Sequence, residues 1–194
     1  QRTIMVRALA DLGVDTTLTS DYRQALEADG LVVPGVGAFA ACMDGLKKVD
    51  GDRVIYDRIR AGRPVLGVCV GEQIMFERGL EHGAHASGIG LIGGSVNLLD
   101  ADVVPQWLDT IEAAPDSVLL NGVENERFYF VHSYAAMEVK PADTARFDID
   151  LQTSTERVAG AHTDVSRFVA AYERGPLSAT QFHPESPVMP VLSC

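Results

Sequence analysis

The 194-residue sequence holds three cysteines, one tryptophan and few basic side chains, and these scarcities remove whole classes of protein. Cys42, Cys69 and Cys194 are too few and too scattered for a disulfide framework or a zinc site. Lysine and arginine number 16 against 27 acidic residues, leaving a net charge of −11. Acid spread along the chain repels a phosphate backbone, so nucleic acid is not expected as a partner. No apolar run approaches the ~18 residues that a membrane-spanning helix needs. The opening residues, Gln1 to Arg7, lack the apolar core of a secretory signal. What is present is a chain 46% hydrophobic and 22% charged, rich enough to bury a core. The expectation is a reduced, cytoplasmic, globular protein of one domain, with a cysteine available for chemistry.

Ile4, Met5, Leu9 and Leu12 fall at helical spacing before Gly13, predicting a short opening helix. Val14 to Leu18 reads as a strand, and Thr19-Ser20-Asp21 as the cap of a helix running through Ala28. Leu31 to Val33, stopped by Pro34 and Gly35, suits a strand buried on both faces. Helical patterns follow at Phe39 to Val49 and Asp52 to Ala61, then a strand at Val65 to Val68 and a helical run from Glu72 to Arg78. This alternation is that of a parallel sheet covered by helices. The second half carries extended runs at 95–99, 127–131, 135–139, 146–153, 167–173 and 178–182. The fold class expected is therefore α/β, a mostly parallel central sheet with an antiparallel or mixed β extension in the C-terminal half. Leu80 to Gly90, with three glycines and two histidines, reads as the most mobile segment.

Gly67-Val68-Cys69-Val70-Gly71 joins a strand to a helical run. A nucleophile on so sharp a turn needs glycine neighbours, and the start of a helix favours a thiolate and directs an amide at a developing oxyanion. Taken alone, the motif reads more readily as a buried structural cysteine in a glycine-flanked turn, since free cysteine is commonly buried. Gln181-Phe182-His183-Pro184-Glu185 supplies what a cysteine lacks, a base and a carboxylate to orient it. Alone it reads equally as a surface turn that contains His and Glu, but a single cysteine with His and acid far along the chain fits a triad assembled by folding. Pro34-Gly35-Val36-Gly37-Ala38-Phe39 is either an ordinary turn into a helix or a second source of oxyanion-binding amides. His132, inside the apolar run 128–134, reads as a packed core histidine rather than a base.

Together these segments resemble the class I, triad-type glutamine amidotransferases, most narrowly the glutaminase subunits of imidazole glycerol phosphate synthase. The resemblance runs from Arg7 to Glu185 and rests on PGVGAF (34–39), VLGVCVGEQ (65–73), FYFVHSY (128–134) and ATQFHPE (179–185). It implies Cys69 as nucleophile, His183 as general base and acid, and Glu185 as the residue orienting His183. It also implies Gly37 and Val70 as oxyanion donors, and Gln73, Glu81, Ser133 and Tyr134 as the residues holding L-glutamine. No metal or organic cofactor is implied. The implied partner is a (β/α)8-barrel cyclase subunit, in a heterodimer, which receives the ammonia. Two other readings stand beside it: another Cys-His-Glu hydrolase, such as a γ-glutamyl hydrolase or peptidase, and a weakly catalytic scaffold that binds the cyclase.

Departures from the family pattern set further expectations. The chain, one amidotransferase domain over 1–194, opens inside the family's first helix without the preceding strand, and Pro187 and Pro190 oppose the family's closing helix. Pro105 to Asp109 replaces a usual His-Met-Gly-Trp-Asn stretch. Glu72 stands where methionine is usual, and a buried carboxylate there would oppose thiolate formation.

Overall fold

The computed structural model describes residues 2–100 and 107–186. Helix α1 (Arg2–Asp11) closes at Gly13, whose φ of 78° is open to glycine without strain. The expected strand at Val14 to Leu18 does not form. Its alternation finds no second strand to take its backbone groups, and Val14 and Leu18 stay exposed. Asp21 caps α2 (Tyr22–Glu27) as expected, its carboxylate accepting the Gln24 N–H at 2.7 Å. The other end of α2 is closed by a residue that no local pattern announces. Arg58 is 0% exposed and donates to the carbonyls of Ala25, Leu26, Ala28, Asp29 and Pro64. It thereby satisfies the C-terminal carbonyls of α2 that have no partner within the helix.

Strand β1 (Leu31–Gly35) leads through α3 (Phe39–Lys47) and α4 (Gly51–Arg60) to β2 (Val65–Cys69), all close to the expected positions. β1 is an edge strand among the described residues, with Leu31 and Val32 only half-buried, so it is not covered on both faces. After β2 comes a single helical turn, α5 (Val70–Gln73), and not a helix to Arg78. Ile74, Met75 and Phe76 are all fully buried in succession, a pattern no single helix face provides. The chain instead extends into β3 (Phe76–Glu81). The segment expected to be mobile is a hairpin: β3 turns through His82 and Gly83, both at positive φ, into β4 (Ala84–Ser87). That two-residue turn matches the right-handed twist of its strands.

β5 (Ile92–Leu98), β6 (Trp107–Asp109), β7 (Phe128–Phe130) and β8 (Tyr134–Ala136) follow. The run 146–153 expected to be extended is a 3-10 turn at Thr144–Phe147 and irregular chain, which buries Ile149 and Leu151 without pairing them. A strand with no counterpart in the expectations, β9 (Glu156–His162), precedes β10 (Arg167–Arg174) and β11 (Leu177–Thr180).

The main sheet has the order β1-β2-β11-β10-β9. β1, β2 and β11 run parallel, and β10 and β9 add on antiparallel, which is the mixed extension anticipated from the second half. A second sheet, β4-β3-β5-β8, stacks its strands alongside, and β6 pairs with β7. The register that matters most is between β2 and β11, where Val68 lies opposite Thr180. It brings the end of β2, carrying Cys69, beside the segment that carries His183. Beneath that segment an aromatic core fixes its position. Phe182 packs on Phe128 and Phe130 with ring centroids 4.3 and 5.9 Å apart, and the His183 N–H donates to the Tyr129 carbonyl.

Candidate active site

Cys69 ends β2 and caps α5 at φ 57° and ψ −116°, a conformation rare for any residue with a side chain. Its glycine neighbours are forced by close approach. A Cβ on Gly71 would lie 1.8 Å from the Val33 carbonyl oxygen, and one on Gly67 would lie 2.5 Å from that of Gly71. The turn therefore folds flat onto β1 and onto itself, with Cys69 4% exposed at its apex.

His183 stands beside the sulfur. Its Nδ1 lies 2.9 Å from Glu185 Oε1, with both side chains almost completely buried, and its Nε2 is buried without a hydrogen-bond partner among the described residues. Burial disfavours the imidazolium, but the neighbouring Cys69 and the bond to Glu185 outweigh it and raise the His183 pKa to about 9. The carboxylate thus holds the base in one orientation beside the cysteine.

A cleft of about 180 Å³ opens over the sulfur. Gly37, Cys69, Val70, Gln73, Glu81, Ser133 and Tyr134, which come from four separate stretches of chain, all line it. Gln73 Nε2 donates to the Tyr134 carbonyl at 2.9 Å and to Gln181 Oε1 at 3.0 Å. Gln181 Nε2 in turn lies 3.9 Å from Cys69 Sγ. Gln181 is the residue that sequence reasoning passed over, although its place two positions before His183 was a usable signal. Glu81 accepts the Phe39 N–H on both carboxylate oxygens, each at 3.1 Å. Among the described residues, no group of three His, Cys, Asp or Glu side chains is placed to hold a metal ion.

The sequence matches the class-I glutamine amidotransferase family over residues 2–190. It is 88% identical over 183 residues to the imidazole glycerol phosphate synthase subunit HisH of Bifidobacterium longum, covering 93% of this chain and 85% of that one. The chain belongs to the class I glutamine amidotransferases. Identity to the HisH subunit of Leifsonia xyli is 56% over 182 residues, covering 93% and 83% of the two chains. The amidotransferase also shares its fold with a crystal structure of a glutamine amidotransferase. That match has a TM-score of 0.68 at 14% identity and covers 95% and 86% of the two chains. A second fold match is the glutaminase domain of a Trypanosoma brucei CTPS bound to acivicin, with a TM-score of 0.56 at 18% identity over 95% and 78% of the chains.

Two side chains near the amidotransferase's nucleophile need a physical account. His132 lines the cleft but is packed among Trp107, Phe130 and Phe168, and its Nδ1 donates to the Tyr134 carbonyl at 2.9 Å. Burial pulls its pKa down to about 4, against the opposing Tyr134 bond, and the neighbouring His183 adds to the fall. It is a neutral ring at pH 7, unsuited to shuttling protons there. Glu72 is 1% exposed, and its Oε1 has no hydrogen-bond partner among the described residues. Burial raises its carboxyl well above the usual range. The burial that would make a charge at Glu72 oppose the thiolate also works against that charge forming. In the altered segment, Trp107 stacks on Phe130 at 5.3 Å, whereas Pro105 and Gln106 lie outside the described residues, as do Pro187 and Pro190.

Proposed function

We propose that this chain is a glutaminase subunit of imidazole glycerol phosphate synthase and that Cys69, His183 and Glu185 carry its reaction. The Cys69 sulfur attacks the side-chain amide carbon of L-glutamine as His183 holds the thiol proton. The amides of Gly37 and Val70 receive the oxyanion of the tetrahedral intermediate. Collapse breaks the C–N bond, and ammonia leaves with the proton from His183. A γ-glutamyl thioester remains on Cys69. Water then gives a proton to His183 and attacks the thioester, releasing glutamate and restoring the thiol. Glu185 keeps the imidazole aligned through both steps. Gln73, Glu81, Ser133 and Tyr134 hold the amino-acid end of the substrate.

The observation that supports this most is the buried His183–Glu185 pair at 2.9 Å, with the same imidazole beside the cleft cysteine and its Nε2 left without another partner among the described residues. The HisH name carried by the relatives supports a partner subunit, which we take to be a (β/α)8-barrel cyclase that consumes the ammonia. A free thiol as nucleophile suits the reducing cytoplasm. We read the chain as one amidotransferase domain, in which all the residues of the reaction come from elements packed on the two sheets.

The test is ammonia release from glutamine in the presence of a HisH-type cyclase partner, with labelling by a glutamine-analogue electrophile. Release by the wild type, its abolition in Cys69→Ser and labelling of Cys69 alone are expected. Labelling at Cys42 or Cys194, or unchanged hydrolysis in Cys69→Ser, would overturn the proposal.

A further inference from the structure

Glu81 stands 42 residues from Phe39 in sequence, yet its carboxylate takes the N–H of Phe39, the first residue of α3, on both oxygens. The residue in the capping position, Ala38, has the extended backbone of an N-cap but makes no side-chain capping bond. The start of α3 is thus closed by an acid from β3 rather than by its own cap. The Phe39 ring reinforces the attachment. It lies so tightly on β3 that a Cβ on Gly79 would come within 2.5 Å of it.

The segment immediately before Phe39 carries Gly37, which lines the cleft with a φ of 81°. Its other end is equally constrained. Gly35 pairs opposite Cys69, and a Cβ there would meet the Gly71 nitrogen at 2.4 Å. Val36, Gly37 and Ala38 therefore form a three-residue span between two anchors, one on the nucleophile turn and the other on Glu81. All three are exposed, and their own side chains provide nothing to hold them. Glu81 also lines the cleft. A carboxylate has about four lone-pair positions, so accepting one amide leaves capacity for a substrate ammonium group.

Building on the glutaminase reading above, in which Glu81 already helps to hold the amino-acid end of the substrate, we infer that Glu81 is in addition a positioning residue for the oxyanion loop. By holding the start of α3 it sets where the Gly37 peptide lies over the reacting carbon. The two roles separate chemically. Positioning needs only a hydrogen-bond acceptor, whereas holding an ammonium group needs the negative charge.

The experiment compares Glu81→Gln, Glu81→Ala and Glu81→Met, each with a HisH-type cyclase partner. The substrates are glutamine and glutaramate, which is glutamine without its α-amino group. Glu81→Gln is expected to raise KM for glutamine while keeping kcat within about twofold, because the amide oxygen still accepts the Phe39 N–H. Glu81→Ala and Glu81→Met are expected to lower kcat at saturation roughly tenfold or more on either substrate. That is part of the loss seen when an oxyanion donor is removed outright. Adding Ala38→Ser to Glu81→Ala supplies a local cap, and it should recover kcat without recovering KM for glutamine. The same background keeps the comparison available if Glu81→Ala alone melts early. Equal kcat in the Gln and Ala variants, whether both fall or neither does, overturns the positioning role. Where only glutamine is turned over, its saturated kcat decides the matter. No ammonia release by the wild type from either amide would instead overturn the glutaminase reading itself.

Discussion

Glu72 permits a quantitative test of how burial handles an acid three residues after the nucleophile. It is 1% exposed, and burial raises its carboxyl well above the ordinary value of 4.5. Above pH 4.5 the folded state consequently binds one more proton than the unfolded state, and stability falls as pH rises. The slope is about 1.4 kcal/mol per pH unit for as long as the folded carboxyl keeps its proton. Glu72→Gln keeps the shape and removes the titration. Urea unfolding of both proteins at successive pH values above 4.5 should show the variant's relative stability growing with about that slope. His183 also has a raised folded pKa, so its stabilisation is complete below 6.5 and is lost as pH rises through about 9. It is common to both proteins and cancels from the difference. Parallel pH profiles for Glu72→Gln and wild type would refute the protonated, buried carboxyl.

Other substitutions probe the remaining contacts. Arg58→Ala should cost about 3 kcal/mol in urea unfolding, because it removes a buried charged donor shared by five carbonyls. Glu185→Gln should lower the His183 pKa from about 9, as read from imidazole NMR shifts, and reduce kcat with little change in KM; an unmoved His183 pKa would sever the pair. Gly71→Ala should abolish glutaminase activity and lower the thermal midpoint, since its Cβ would lie 1.8 Å from the Val33 oxygen; a variant with normal activity would contradict that packing.

Elements whose reason is local were legible in the sequence, and those whose reason is remote were not. Asp21 caps α2 through a residue three positions away, and Gly13 ends α1 by its own φ, so both were readable. Val14 to Leu18 has the alternation of a strand but no partner, and Ile74 to Phe76 has helical spacing but is buried on every side. Periodicity describes one buried face, and it fails where tertiary packing leaves a run with none or surrounds it completely. The segment 80–90, which reads as a loop, holds the turn and second strand of a hairpin, because glycine and histidine serve tight turns as well as loops.

At the site, the sequence by itself determined which groups are present and their local geometry. Glycines flank Cys69 because its turn admits no Cβ, and Pro184 separates a histidine from an acid so that the two meet within one turn. The tertiary structure decided what those groups do to one another. Parallel pairing of β2 with β11 carries Cys69 to His183 across more than a hundred residues, and packing of β3 on α3 gives Glu81 the Phe39 amide. Enclosure of α5 raises the proton affinity of Glu72. Proton affinity and hydrogen-bond partnership depend on the atoms within a few ångströms, and in this protein most of those atoms come from elsewhere in the chain.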